Sequence, residues 1–135
     1  MSEPVRGVVL AHADLAGALV RAVERISGVT DALIPISNEG SPPEELRMRL
    51  ESETTGGAAI IFADLASGSC AFAARMIARS SDDVAVLTGA NLPMLLDFVF
   101  HRDMPLPELT ERLLFKGRSQ MSAHSGSATP DPDSQ

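Results

Sequence analysis

Residues 5–28 read VRGVVLAHADLAGALVRAVERISG. Val5 to Ala11 is a short, nearly continuous apolar run, which predicts a strand covered on both faces. Directly after it, Leu15, Leu19, Val23 and Ile26 recur at i, i+4, i+8 and i+11, the spacing of one helix face. Asp14 suits the N-cap of that helix and Gly28 its stop. A buried strand running straight into an amphipathic helix is the first half of a βαβ unit.

The pattern repeats outward along the chain. Further strands are expected at Ala32 to Ile36 (ALIPI), Ala58 to Ala63 (AAIIFA) and Val84 to Thr88 (VAVLT). A second helix opens at Ser41-Pro42-Pro43-Glu44, a capping-box spacing with proline in the first turn, and its thin apolar content marks it as well exposed. A third runs from about Ser69 to Ala78, with Phe72, Ala73, Met76 and Ile77 toward the sheet. A fourth begins at Pro93 and is apolar on nearly every side. A fifth runs from Pro107 to Lys116, with Gly117 as its stop. Strand and helix alternation with short connections predicts an α/β three-layer sandwich, with helices on both faces of a small, mainly four-stranded parallel sheet. Residues 1–117 form the expected domain. Residues 118–135, rich in Ser, Pro, Gly and Asp, read as a disordered tail.

Composition narrows the classes. The chain has 135 residues, 44% of them apolar, which suits a single domain with one buried core. Eleven basic against eighteen acidic residues give a net charge of −7, unfavourable for a nucleic-acid binder. No apolar run approaches the roughly 20 residues of a membrane span, and the N-terminus lacks a signal-peptide pattern. One Cys excludes an internal disulfide and cannot form a zinc site by itself. These features suit a reducing, cytoplasmic setting. No P-loop, dinucleotide fingerprint or GxSxG elbow occurs. The only Lys, Lys116, stands after the last strand, which disfavours a receiver domain.

In an open α/β sheet, chemistry gathers beyond the carboxyl ends of the strands. The residues there are His12, then Ser37 and Asn38, then Asp64 with the turn Leu65-Ala66-Ser67-Gly68-Ser69, then Gly89-Ala90-Asn91. An Asp bonded to one nitrogen of His12 fixes the tautomer and leaves the other nitrogen free as nucleophile. Plainer readings stand beside this one. His12 would be a half-buried ring bonded to a loop carbonyl, and Asp64, Ser67, Ser69 and Asn91 would be loop or helix caps. His101 at the end of the fourth helix reads as structural, and His124 as inert. Cys70 opens a helix, where a thiol pKa falls, yet burial as a small apolar residue fits it as well.

With these motifs placed, the chain resembles the EIIA domain of the mannose/sorbose family of the bacterial sugar phosphotransferase system (PTS). VVLAHADLAGALVRAVERISG resembles its first strand, phosphoacceptor His and first helix. GSPPEELRMRLE resembles the start of its second helix. AIIFADLASGSCAFAARMIA resembles its third strand, Asp, small-residue turn and third helix. VAVLTGANLPMLLDFVFHRD, with its Asn-x-Pro-Met opening, is the most specific match. Together they cover about residues 5–117.

The resemblance implies a phosphocarrier, hence a phosphotransferase, that takes a phosphoryl group from phospho-HPr and gives it to an EIIB domain for sugar uptake. His12 matches the phosphoacceptor, Asp64 the residue that orients it, and Ser69 the Ser of the family's turn. Ser67, Gly68 and Ser69 are the expected phosphoryl-binding group, with Asn91 and Asn38 as further candidates. No metal or other cofactor is called for, and a homodimer is implied. Contact with the membrane comes only through permease components, and none is expected with nucleic acid. The turn departs from the family at Ala66, Ser67 and Cys70, which bears on the EIIB docking surface. That leaves open a regulatory EIIA that signals phosphorylation state without a permease, and behind it the phosphocarrier subunit of a dihydroxyacetone kinase.

Overall fold

The computed structural model describes residues 3–126. Four strands, β1 (Arg6–Ala11), β2 (Leu33–Ser37), β3 (Ala59–Ala63) and β4 (Val84–Thr88), alternate with five helices, α1 (Leu15–Ser27), α2 (Pro43–Thr54), α3 (Ser69–Arg79), α4 (Leu92–Val99) and α5 (Leu106–Ser119). All strand pairs are parallel and their order is β2-β1-β3-β4. The three-layer α/β sandwich is as expected.

The continuous apolar strands explain the layering. Alternate residues of β1 serve two cores. Val9 and Ala11 pack with Phe62, Leu95, Phe98, Leu109 and Leu113, so α1, α4 and α5 cover that face. Val8 and Leu10 pack with Ile61, Leu46, Leu50, Ala74 and Ile77, so α2 and α3 cover the other. Fully burying such a side chain stabilises by about 1.5–3 kcal/mol, which is why strands apolar on both faces need two helical layers. Phe98 presses on β1 so closely that a Cβ on Gly7 would stand 2.6 Å from its ring.

Several local expectations are corrected. On α1 the buried residues are Ala16, Val20 and Val23, while Leu15 and Ile26 are exposed. The sheet-facing stripe is Ala16, Val20 and Val23, so the expected face is rotated and Leu15 and Ile26 fall to its edge. Asp14 precedes α1 but makes no side-chain cap bond, whereas Gly28 does close the helix in the left-handed conformation. The capping box of α2 does not form. Pro42 occupies the N-cap position, leaving Ser41 outside the helix.

On α3 the buried face is Cys70, Ala71, Ala73, Ala74 and Ile77, and Phe72 is 65% exposed. Small residues again win the sheet-facing side, and Phe72 and Met76 point outward. Gly117 does not stop α5, which runs on to Ser119. A Cβ there would stand 2.7 Å from Met94, so glycine allows α5 to cross close to the start of α4. Residues 121–126 carry no helix or strand, and the rest of the expected tail, 127–135, lies outside the described residues. Among the described residues, no helix is long and apolar enough to cross a membrane.

The strand order determines where a site can form. The chain leaves β1 toward β2 on one side, while β3 lies on the other and leads to β4. The carboxyl ends of β1 and β3 therefore flank a topological switch point, where such sheets leave a crevice. In register, Leu10 stands opposite Ala63. The next residues outward, including His12 and Asp64, meet across that crevice.

Candidate functional site

Asp64 grips His12 twice. Its Oδ2 accepts the His12 backbone N–H at 3.0 Å. Ring Nδ1 lies 2.9 Å from Oδ2 and 3.2 Å from Oδ1. The pair is half-sheltered, with the His side chain 37% exposed and the Asp side chain 9%. Burial pushes the Asp64 carboxyl up, but the His12 amide, the ring hydrogen bond and the ring's charge outweigh it, holding the carboxyl below its usual value. An ionised carboxylate only accepts, so Nδ1 carries the proton. Nε2 is the ring nitrogen that Asp64 does not hold.

The chain around His12 is held under strain. Ala13 has φ +51°, a left-handed conformation uncommon for a residue with a Cβ. The end of β2 holds it there. Asn38 Oδ1 accepts the Ala13 N–H at 3.3 Å, and Ser37 Oγ donates to the Ala13 carbonyl at 2.8 Å. Asn38 thus acts on the loop that aims His12.

Opposite Nε2 stands the turn after β3. Gly68 has φ +95°, and a Cβ there would lie 3.8 Å from His12 Nε2. Glycine serves twice at this position, by permitting the backbone and by leaving open the space beside Nε2. Ser67, Gly68 and Ser69 are exposed, and Gly68 is the residue from which α3 starts. The first amides of α3, which have no intrahelical acceptor, and the positive end of its dipole lie beside Gly68. Arg75, one face along α3, donates to the Ala66 carbonyl and ties the turn down.

The structure thus brings His12, Asp64 and Gly68 together, with Ser67 and Ser69 on the same turn and Asn38 behind. Asn91 is used elsewhere. It caps α4 by accepting the Met94 N–H at 3.1 Å and donates to the Gly117 carbonyl at 2.9 Å, so both ends of its amide join α4 to α5. His101 lies past the end of α4 beside Asp97, and His124 bonds Ser122 in the exposed C-terminal stretch. Sequence reasoning missed the holding roles of Ser37 and Arg75 and the strain at Ala13. Ser37 at a strand end was a visible signal; the other two depend on tertiary register. Cys70 is fully buried, and its thiol pKa is raised by burial and then by the Asp64 charge. Its sulfur lies near the pair: ligand atoms of His12, Asp64 and Cys70 all fall within 4.8 Å of one another.

Residues 7–113 match the family described as EIIA-man, PTS system fructose IIA component. The chain belongs to the EIIA-man family. Solved structures agree with this family's fold. Phosphotransferase system component EIIA from Streptococcus agalactiae is 20% identical, with a TM-score of 0.82 over 88% of this chain and 96% of that one. The mannose/sorbose specific IIA subunit from Enterococcus faecalis is 19% identical, with a TM-score of 0.79 over 96% and 98%. The PTS IIA protein associated with the fucose utilization operon of Streptococcus pneumoniae is 20% identical, with a TM-score of 0.76 over 91% and 96%. At these identities the likeness speaks for the fold alone. No curated protein matches. His12, Asp64 and the 67–69 turn all fall inside the EIIA-man match.

Proposed function

We propose that this EIIA-man chain carries a phosphoryl group on His12 Nε2, accepting it from phospho-HPr and passing it to an EIIB-type domain. The observation that carries this is the bidentate hold of Asp64 on Nδ1 while Gly68 leaves space beside Nε2.

The Nε2 lone pair attacks phosphorus in line. The P–N bond to the donor imidazole breaks, and its electron pair returns to that nitrogen. The Nδ1 proton stays where it is. His12 becomes a phosphorylated, positively charged ring, and the ionised Asp64 stabilises that charge as it forms. The phosphoryl oxygens meet the first amides of α3 and the hydroxyls of Ser67 and Ser69, an environment suited to an anion. Positioning and charge stabilisation supply the catalysis, as in phosphoryl transfer generally. Transfer to the acceptor is the same step in reverse sense. A second copy of the chain and a cytoplasmic setting belong to this reading.

Incubation with phosphoenolpyruvate, enzyme I and HPr should give an acid-labile, base-stable phosphate on the wild-type chain and none on His12→Ala. Absence of label, or full labelling of His12→Ala, contradicts the proposal. Label that no EIIB-type acceptor removes would favour the regulatory EIIA instead.

A further inference from the structure

Cys70 is the second residue of α3 and is fully buried beside the His12–Asp64 pair. Three different donor atoms converge there: a thiol sulfur, an imidazole nitrogen and a carboxylate oxygen. That set suits a thiophilic divalent ion such as Zn2+. Zinc bonds of about 2.0–2.3 Å put tetrahedral ligand atoms roughly 3.3–3.5 Å apart. The three donors lie within 4.8 Å, so they must close by at most about 1.5 Å. The pair supplies a ready start, since Nδ1 and Oδ2 are 2.9 Å apart and Asp64 already accepts. His12 is half-exposed, which leaves an entry path and a place for water as fourth ligand.

We propose that His12 Nδ1, the Asp64 carboxylate and the Cys70 thiolate form a site for one thiophilic divalent cation, and that this ion and the phosphoryl group exclude each other. The exclusion rests on the phosphocarrier reading, whereas the binding does not. On binding, the Cys70 proton leaves to solvent and Sγ bonds the ion. The ring proton of His12 moves from Nδ1 to Nε2, and the Nδ1 lone pair bonds the ion. Nε2 then holds a proton in place of the lone pair that phosphorus requires. The nucleophile is silenced without being covered.

The probe for binding is Cd2+, added to the full chain. Without Trp or Tyr, the chain leaves an uncluttered ultraviolet window for a thiolate-to-Cd2+ charge-transfer band. The wild type should show a saturable 1:1 band. Cys70→Ala should lose it, and His12→Ala and Asp64→Asn should each weaken Cd2+ binding at least about tenfold. Cys70→Ser keeps the side-chain volume should the alanine variant fold poorly, with circular dichroism reporting folding for each. No band from the folded wild type overturns the site. A band of unchanged affinity in both His12→Ala and Asp64→Asn overturns it too, because the thiol then binds alone.

For exclusion, Zn2+ should slow phosphoryl labelling of the wild type and leave the labelling rate of Cys70→Ala unaltered. Equal slowing of both overturns the exclusion, since the ion then acts elsewhere. If the chain takes no label even without metal, the phosphocarrier reading fails and the Cd2+ band still decides the site.

Discussion

Among the described residues two His–Asp pairs stand out, and their surroundings differ. In His12–Asp64 the Nδ1–Oδ2 distance is 2.9 Å, and in His101–Asp97 the closest ring-to-carboxylate approach is 3.4 Å. Exposure does not separate them, with His side chains at 37% and 33% and both Asp side chains at 9%. Their surroundings do. Asp64 gives both oxygens to His12, while Asp97 gives its oxygens to Arg112 at 2.7 and 3.1 Å. The His101 ring nitrogen instead faces the Asp97 backbone carbonyl at 2.8 Å. His12 looks toward the N-terminus of α3, which favours an anion. His101 stands beyond the C-terminus of α4, which disfavours one and favours a cation. The second pair joins α4 to α5. The proposed phosphoryl site is thus the pair whose carboxylate is not shared with an arginine and whose free nitrogen faces a helix N-terminus.

The largest expected effect comes from deleting each ring in turn. His12→Ala should abolish acid-labile labelling, and His101→Ala should label like the wild type. Labelling lost in both would erase the distinction. Next come the carboxylates. Asp64→Asn removes the charge that balances the phosphorylated ring, so the single-turnover transfer rate should fall about 10²-fold, or roughly 2.7 kcal/mol of barrier. Asp97→Asn should leave that rate alone and lower the thermal midpoint, because the Arg112 bridge between α4 and α5 is weakened. A rate loss in Asp97→Asn would show that the pairs communicate.

Two glycines sharpen the contrast by filling space. Gly68→Ala puts a methyl 3.8 Å from Nε2 and forces a Cβ onto a backbone at φ +95°. Transfer should drop by about 10-fold to 10²-fold. Gly117→Ala puts a methyl 2.7 Å from Met94, at the α4–α5 crossing. The Met94 methyl can turn aside and alanine favours the helix, so stability should change by less than about 1 kcal/mol, read by denaturant unfolding, with transfer by the folded protein unchanged.

The smallest effect is the one the two pairs share. Burial pushes both carboxyls up, yet both end below their usual values: Asp64 through its bonds to His12, Asp97 through Arg112 and then His101. The unfolded chain therefore binds protons more readily at these groups. Their contribution is complete above the unfolded carboxylate value of about 3.9 and is lost as pH falls through the lower folded values. Asp64→Asn and Asp97→Asn should each reduce the steepness of acid destabilisation below about pH 4. A melting series that is equally steep in the variants would deny the pairing.

Much of this was legible in the sequence, for identifiable reasons. The strands announced themselves because a sheet covered on both faces needs uninterrupted apolar runs, and Val84–Thr88 matched its expected bounds. His12 and Asp64 were findable because parallel strands deliver their following residues to one edge. Helix faces were less legible. On α3 mostly small residues face the sheet and on α1 the buried stripe is Ala16, Val20 and Val23, so the largest side chains mislead and Leu15, Ile26, Phe72 and Met76 lie outside the buried faces. Gly117 looked like a stop because nothing local reveals that Met94 needs its space. The strain at Ala13 and the nearness of Cys70 to the pair depend on how β1, β2 and β3 register, which spacing along one chain does not encode.

One nitrogen, His12 Nε2, decides the proposed chemistry. The direct measurement is NMR of the phosphorylated chain carrying 15N-labelled histidine, which distinguishes a phosphoryl group on Nε2 from one on Nδ1. Phosphate is expected on Nε2 of His12, with Nδ1 still protonated against Asp64. Phosphate on Nδ1, or on His101 or His124, would contradict it.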